Sequence, residues 1–229
     1  MSEIEVKLVN DEIDGFTFTF LDTVTSLTVP EVFSELKSGA YGLNEIELCP
    51  NDVVIDVGAN VGMFSIFMNK KFGCKIIAFE PIKENYENFK RNVLLNGLNP
   101  ENFEIYNVAV TDKQGEKIKI GIQEWNYGGS SVYYNNNSNF QICETVNLYD
   151  YITPECKYLK LDCEGAEYDI LPTIMDKINY FKYIGIELHE LETRIHSPEQ
   201  TYINLKKNFK GSLYPDNFGP IPKIVSYAL

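Results

Sequence analysis

Five short apolar runs, each closing at or just before a polar residue, constrain this chain more than any other feature: Val53–Asp56, Ile76–Glu80, Phe103–Val108, Tyr158–Asp162 and Tyr183–Leu188. Runs of this length without apolar/polar alternation read as strands buried on both faces, which is how parallel strands are written. Helical stretches separate the early ones. Gly62–Phe72 follows the first run and Lys83–Asn96 the second, with Tyr86, Phe89, Val93 and Leu94 on one expected face and Gly97 as a stop. The fold class expected is therefore α/β, a doubly wound, mostly parallel sheet. Its ligand crevice should lie at the carboxyl ends of the strands, where the strand order reverses. The residues closing those strands are Asp56, Glu80, Asp162 and the Glu187/His189 pair.

Outside the βαβ series the pattern changes twice. Residues 1–50 carry the alternating Phe16-Thr17-Phe18-Thr19-Phe20, suited to a strand or hairpin with one exposed face, and a helix is expected at Pro30–Lys37. Residues from about 113 to 150 hold two possible strands, Lys117–Ile122 and Cys143–Leu148, separated by Gly128-Gly129-Ser130-Ser131 and Asn135-Asn136-Asn137. We expect an N-terminal cap over 1–50 and a ligand-binding domain over 51–229 carrying that β-rich insertion, all within one structural domain. The insertion either roofs a pocket or forms a solvent-exposed hairpin. The tail from Lys210 should be turns ending in a short strand at Ile224–Tyr227.

Charge and cysteine usage exclude several function classes. With a net charge of −13 and no Lys/Arg cluster, the chain should repel a phosphate backbone, so no nucleic-acid partner is expected; Lys70/Lys71 and Lys206/Lys207 read as solvated helix faces. Five cysteines with neither a C-x-x-C pair nor zinc-ligand spacing suggest free thiols and no metal. A polar start and the absence of a long apolar run imply a cytoplasmic protein with no membrane association.

The stretch from Val53 to Gly62, VVIDVGANVG, runs from strand through a glycine-bearing turn into a helix. Such a turn presents unpaired N–H groups, and its glycines permit positive φ and close approach of a ligand. A dinucleotide fingerprint needs glycine at the middle position, which here is Asn60. Asp56, just before the turn, also opposes a diphosphate and suits a cation. The amino group and sulfonium of S-adenosyl-L-methionine (AdoMet) are cationic, so Asp56, Gly58, Asn60 and Gly62 fit its methionine end. Glu80, closing the second strand, is placed to accept from a ribose diol. An NAD-dependent oxidoreductase and a catalytically silent nucleotide-binding module are the rival readings.

These residues resemble the FkbM-type methyltransferases, a branch of the class I AdoMet-dependent fold. The similarity runs from Tyr41 to His189 and rests on VVIDVGANVGMFS, FEPIKENYENFKRNVLLNGL, NVAVTDKQG, GGSSV and LKLDCEGAEYDIL. The resemblance implies AdoMet as cofactor, with Asp56, Gly58, Ala59, Asn60 and Gly62 at the methionine end, Glu80 at the ribose and Ala109 to Asp112 near the adenine. It also implies methylation of oxygen on a small-molecule or saccharide acceptor. Departures from the family pattern are Cys163 between the Asp and Glu of the fourth-strand motif, Tyr149 in place of an acid, and Pro172, expected to interrupt the following helix.

Methyl transfer is an in-line displacement that depends on holding the acceptor about 3 Å from the methyl group, and a hydroxyl must also lose its proton. Asp162, Glu164 and His189 are the candidate catalytic groups, with Asp162 and His189 expected to face the methyl. His196 reads as a surface residue. Asp162 and Glu164 offer a divalent cation only two acids and no evident third ligand, so no metal is expected. Tyr41 and Trp125 are aromatics able to stack on a ligand or simply to pack, and Tyr41 is counted among the cofactor-contacting candidates.

Overall fold

A computed structural model describes residues 6–23, 28–122, 139–189 and 197–214. His196, Trp125, the GGSSV segment, the Asn135–Asn137 run and the expected strand at Ile224–Tyr227 lie outside the described residues. All five apolar runs form strands of one six-stranded sheet: β3 (Val53–Val57), β4 (Lys75–Phe79), β5 (Phe103–Tyr106), β9 (Cys156–Leu161) and β10 (Tyr183–Ile186), joined by β11 (Ser212–Tyr214). The order is β11-β10-β9-β3-β4-β5 and every pairing is parallel. The tail expected to begin with turns thus contributes an edge strand, β11. From β3 the chain winds outward through β4 to β5, then crosses back to β9 on the other side of β3. The order reverses between β3 and β9, and a crevice opens at their carboxyl ends.

Strand parity assigns the two faces. Val54, Ile76 and Tyr158 pack under α2 (Met63–Phe72) and α3 (Lys83–Leu95), while Ile55, Leu159 and Ile184 pack against α4 (Glu167–Ile174) and α5 (Pro198–Asn208). α4 continues through Pro172 rather than stopping before it. Lys70/Lys71 and Lys206/Lys207 lie in the last turns of α2 and α5, where cations oppose the negative helix end. Among the described residues no helix is long and apolar enough to cross a membrane.

The cap is an antiparallel hairpin, β1 (Val6–Ile13) and β2 (Phe16–Thr23), followed by α1 (Thr28–Ser38). Its two-residue turn is Asp14-Gly15, with φ of 52° and 79°, the conformation a right-twisted hairpin favours. Phe18, Phe20 and Phe33 join the same core as Phe64 and Phe67 of α2.

α3 departs from its expected apolar face. Leu94 is exposed, and the buried face consists of Asn85, Asn88, Phe89, Asn92 and Val93. The reason is β2, whose backbone needs partners. The Asn92 amide accepts from Leu21 N (2.7 Å) and donates to Leu21 O (3.2 Å), and Asn96 does the same with Thr19 (3.0 and 2.7 Å). Side-chain amides here complete a strand edge that an apolar face would leave unsatisfied.

The insertion forms β7 (Lys117–Gly121) and β8 (Phe140–Asn147), with β8 antiparallel to β7 and parallel to β6 (Ala109–Thr111), which precedes the insertion. It is tied down: Gln141 donates to Pro81 O at 2.6 Å and accepts from Lys83 N at 3.1 Å.

Candidate active site

A cavity of about 250 Å³ occupies the crevice. One end is the turn after β3, Gly58 to Val61, together with Glu80 and Ala109; the other is Asp162, Glu164 and Glu187; Glu31, Glu35 and Tyr41 of the cap close it over.

Local chemistry builds the turn. Asn60 has φ 51°, a left-handed position that asparagine tolerates better than most side chains. Its Oδ1 accepts from Val61 N at 2.6 Å. The glycines serve packing: a Cβ on Gly58 would meet the Asp162 carbonyl at 1.8 Å, and one on Gly62 would meet the Phe89 ring at 2.0 Å. At these two positions it is protein, not ligand, that requires glycine. Glu80 is buried and fully engaged, Oε2 accepting from Asn60 N and Oε1 from Ile82 N, each at 2.8 Å. It clamps the turn to the start of α3, and burial pushes its carboxyl up to about 7.

Asp56 lies one layer deeper, with no exposed surface. Parity directs it toward α2, where Ser65 Oγ donates to Oδ2 at 2.6 Å. Its register partner on β9 is Lys160, whose Nζ is 3.6 Å from Asp56 Oδ1 and 3.0 Å from Asp162 Oδ2. The cation that faces Asp56 in this structure is therefore a lysine of the chain itself. Burial opposes the Lys160 charge, but Asp162 and Asp56 hold its pKa above the ordinary value. Burial raises Asp56, and Asp56 Oδ1 makes no hydrogen bond.

The far wall gathers residues from three elements. Tyr41 donates through its hydroxyl to Asp162 Oδ2 (3.2 Å) and Glu187 Oε2 (3.3 Å). It is held at φ 58° while its carbonyl accepts from Tyr158 at 2.6 Å. Its ring packs edge-on to Phe64 and lies under Lys160 Nζ, 5.5 Å from the ring centroid, while its hydroxyl addresses the acids of the site. His189 places Nδ1 3.2 Å from Glu167 Oε1, and Nε2 3.5, 3.7 and 3.9 Å from Glu164, Glu187 and Asp162. Burial disfavours its charge, yet Glu167 and then Glu164 and Asp162 hold its pKa up at about 10. Burial raises Glu164 to about 7 and Glu187 to about 9, whereas Lys160 and His189 overcome burial to keep Asp162 below the usual carboxylate range. Glu164 also sits at φ 54°, a strained conformation for a residue with a side chain.

A family model for the methyltransferase FkbM domain matches residues 56–209. The chain belongs to the FkbM methyltransferase family. This FkbM chain is 45% identical to Methyltransferase sdnD of Sordaria araneosa over 47 residues, 20% of this chain and 18% of that protein. It is 25% identical to Methyltransferase 1 of Beauveria bassiana over 154 residues, 56% of this chain and 61% of the relative. It thus spans less than two thirds of the length of either relative. Among solved structures, an Agrobacterium tumefaciens SAM-dependent methyltransferase aligns with a TM-score of 0.49 at 10% identity, covering 90% of this chain and 60% of that one. M. jannaschii TYW2 in complex with AdoMet aligns with a TM-score of 0.43 at 16% identity, covering 91% and 75%.

Within the FkbM fold, the sequence-derived candidates separate. Tyr41, Gly58, Ala59, Asn60, Glu80, Ala109, Asp162 and Glu164 line the cavity. Asp56, Gly62 and His189 support it from behind, and Asp112 is exposed beyond the end of β6, off the cavity wall. Sequence reasoning missed Lys160, Ser65 and Glu167. Lys160 had a usable signal, a lysine between Leu159 and Leu161 in a run too apolar to face water.

Proposed function

We propose that this chain is an AdoMet-dependent methyltransferase acting on a hydroxyl of a sugar, glycan or natural product. The observation that carries the reading is the charge of the cavity: its lining holds six carboxylates (Glu31, Glu35, Glu80, Asp162, Glu164 and Glu187) and one lysine, Lys160. Such a wall attracts the sulfonium and ammonium of AdoMet and repels the diphosphate of NAD, which argues against a dehydrogenase. When bound, AdoMet supplies an electrophilic methyl group. Glu80, on the cavity wall, is suited to the ribose, and Ala109 with Val110 offers an apolar seat for the adenine. Asp112, exposed, is left out of the cofactor's contacts.

The chain's own part in the chemistry is alignment and proton removal. Both ring nitrogens of His189 face carboxylates, so the imidazole is occupied as a donor and is poorly placed to take a proton. Asp162 is tied by Lys160 and Tyr41. Glu164 is the most open of the three acids, its side chain 31% exposed against 25% for Asp162 and 11% for Glu187. We assign to Glu164 the proton released by the acceptor hydroxyl, and to Asp162 and Tyr41 the shape of the acceptor wall. The net charge of −13 supports a small-molecule or saccharide acceptor over nucleic acid.

Calorimetry with AdoMet, its demethylated product AdoHcy and NAD tests the cofactor assignment, since NAD binding as tight as AdoHcy would sink it. A mass-spectrometric screen of hydroxylated acceptors for a 14-Da gain, the mass of a CH2 unit, tests the acceptor class; gain on amines alone would overturn O-methylation.

A further inference from the structure

We propose that the carboxyl ends of β9 and β10 form a site for one divalent cation, held by Asp162, Glu187 and His189. The argument starts from how each acid uses its two oxygens. Asp162 Oδ2 is taken by Lys160 and Tyr41, and Glu187 Oε2 by Tyr41. The remaining oxygens, Asp162 Oδ1 and Glu187 Oε1, accept no hydrogen bond among the described residues and converge on His189 Nε2 at 3.9 and 3.7 Å. Glu187 is 8% exposed as a residue, and its Oε1 faces the centre of the cluster, 3.7 Å from His189 Nε2 and so beyond hydrogen-bonding distance of it.

One donor atom from each of the three residues lies within 4.8 Å of the other two. Around an octahedral ion with bonds of about 2.1 Å, adjacent donors stand about 3 Å apart and opposite ones about 4.2 Å, so closing the site takes only small side-chain adjustments. The imidazole is already aimed. Behind it, buried Glu167 sets Oε1 3.2 Å from Nδ1, and the same oxygen is fixed by Cys163 N at 2.7 Å. A carboxylate behind an imidazole orients the opposite nitrogen toward a metal and raises its basicity. Two carboxylate oxygens with one imidazole suit Mn2+, and Mg2+ more weakly. The ion replaces the Nε2 proton and leaves coordination positions toward the cavity for water or an acceptor oxygen. This site goes beyond the proposed activity and does not depend on which acceptor is methylated.

The test titrates Mn2+ into EDTA-stripped full-length protein and counts free ion by electron paramagnetic resonance. One bound Mn2+ per chain is expected, with affinity falling by at least about tenfold in both Glu187→Gln and His189→Gln. Thermal unfolding of each variant identifies any that fails to fold, and the other then carries the comparison. No uptake by the wild type, or equal uptake by the wild type and a folded variant, overturns the proposal. AdoHcy calorimetry on the same samples separates the two readings: AdoHcy binding without Mn2+ uptake removes the cation site and leaves the methyltransferase assignment standing.

Discussion

The two ends of the crevice are built on opposite principles. At the β3/β4 end the one acid on the cavity wall, Glu80, is satisfied by backbone N–H groups of the turn and of the start of α3, contacts that span 20 and 2 residues. At the β9/β10 end four carboxylates crowd one imidazole and one ammonium, and the hydroxyl that links Asp162 to Glu187 comes from Tyr41, 121 and 146 residues away. The first end is complete without a ligand. The second packs four acids against two cationic groups, with burial raising Glu164 and Glu187, and on the proposed reading it is the end at which a cationic ligand is recognised.

The strongest way to break this contrast is Lys160→Met. Removing the buried ammonium leaves Asp56 and Asp162 without their shared cation, and we expect a loss of about 3–5 kcal/mol of stability, read by urea unfolding. A variant as stable as the wild type would mean that the wall is not held together by charge.

Next in size is Glu164→Gln, which should lower turnover about 10²-fold and leave AdoHcy affinity near the wild-type value. Calorimetry beside single-turnover kinetics reads both. Lost affinity with unchanged turnover would move Glu164 to the cofactor side and blur the division between the ends.

Glu80→Gln tests the self-satisfied end. One carboxyl oxygen able to accept becomes an amide NH2 that cannot, against a backbone N–H, costing about 1–3 kcal/mol at pH 5. The sign of its pH dependence follows from burial. The folded pKa, about 7, is raised above the ordinary carboxylate value, so the stability contributed by Glu80 is full below that ordinary value and is lost as pH rises through 7. The gap between the wild type and Glu80→Gln should therefore narrow between pH 5 and pH 8 in thermal unfolding. A gap that stays constant between pH 5 and pH 8 would show that Glu80 is ionised throughout.

The smallest effect is expected for Asp112→Ala. Asp112 is exposed and off the cavity wall, so stability should change by less than about 0.5 kcal/mol and AdoHcy affinity should be unaltered. A measurable fall in affinity would extend the cofactor end beyond the cavity described here.

Much of the cofactor end was legible because its determinants are local. Apolar runs mark the buried strands, Asn60 suits the left-handed turn, and Glu80 lies two residues before the start of α3 that it caps, although the turn it also holds is 20 residues away. Gly58 and Gly62 were found for an incomplete reason, since the groups they make room for, the Asp162 carbonyl and the Phe89 ring, come from distant parts of the chain. The polar face of α3 was hidden for a similar cause: Asn92 and Asn96 make sense only once the backbone of β2 is laid beside them.

Sequence by itself determined that β3 and β9 would be strands, that Asp162 would follow the end of one while Asp56, expected to close the other, lies one residue inside it, and that glycine and asparagine would turn the chain between β3 and α2. Only the tertiary structure decided that Asp56 meets Lys160. At Val53 the partner on β9 is Cys156, but the register then shifts, and Val54 pairs with Tyr158. An unshifted ladder would set Asp56 opposite Leu159. The one-residue irregularity sets it opposite Lys160 instead, on the face toward α2, because side chains alternate with a period of two and a slip of one residue exchanges the faces. That slip has no local signature in either strand, and the ion pair at the base of the site follows from it.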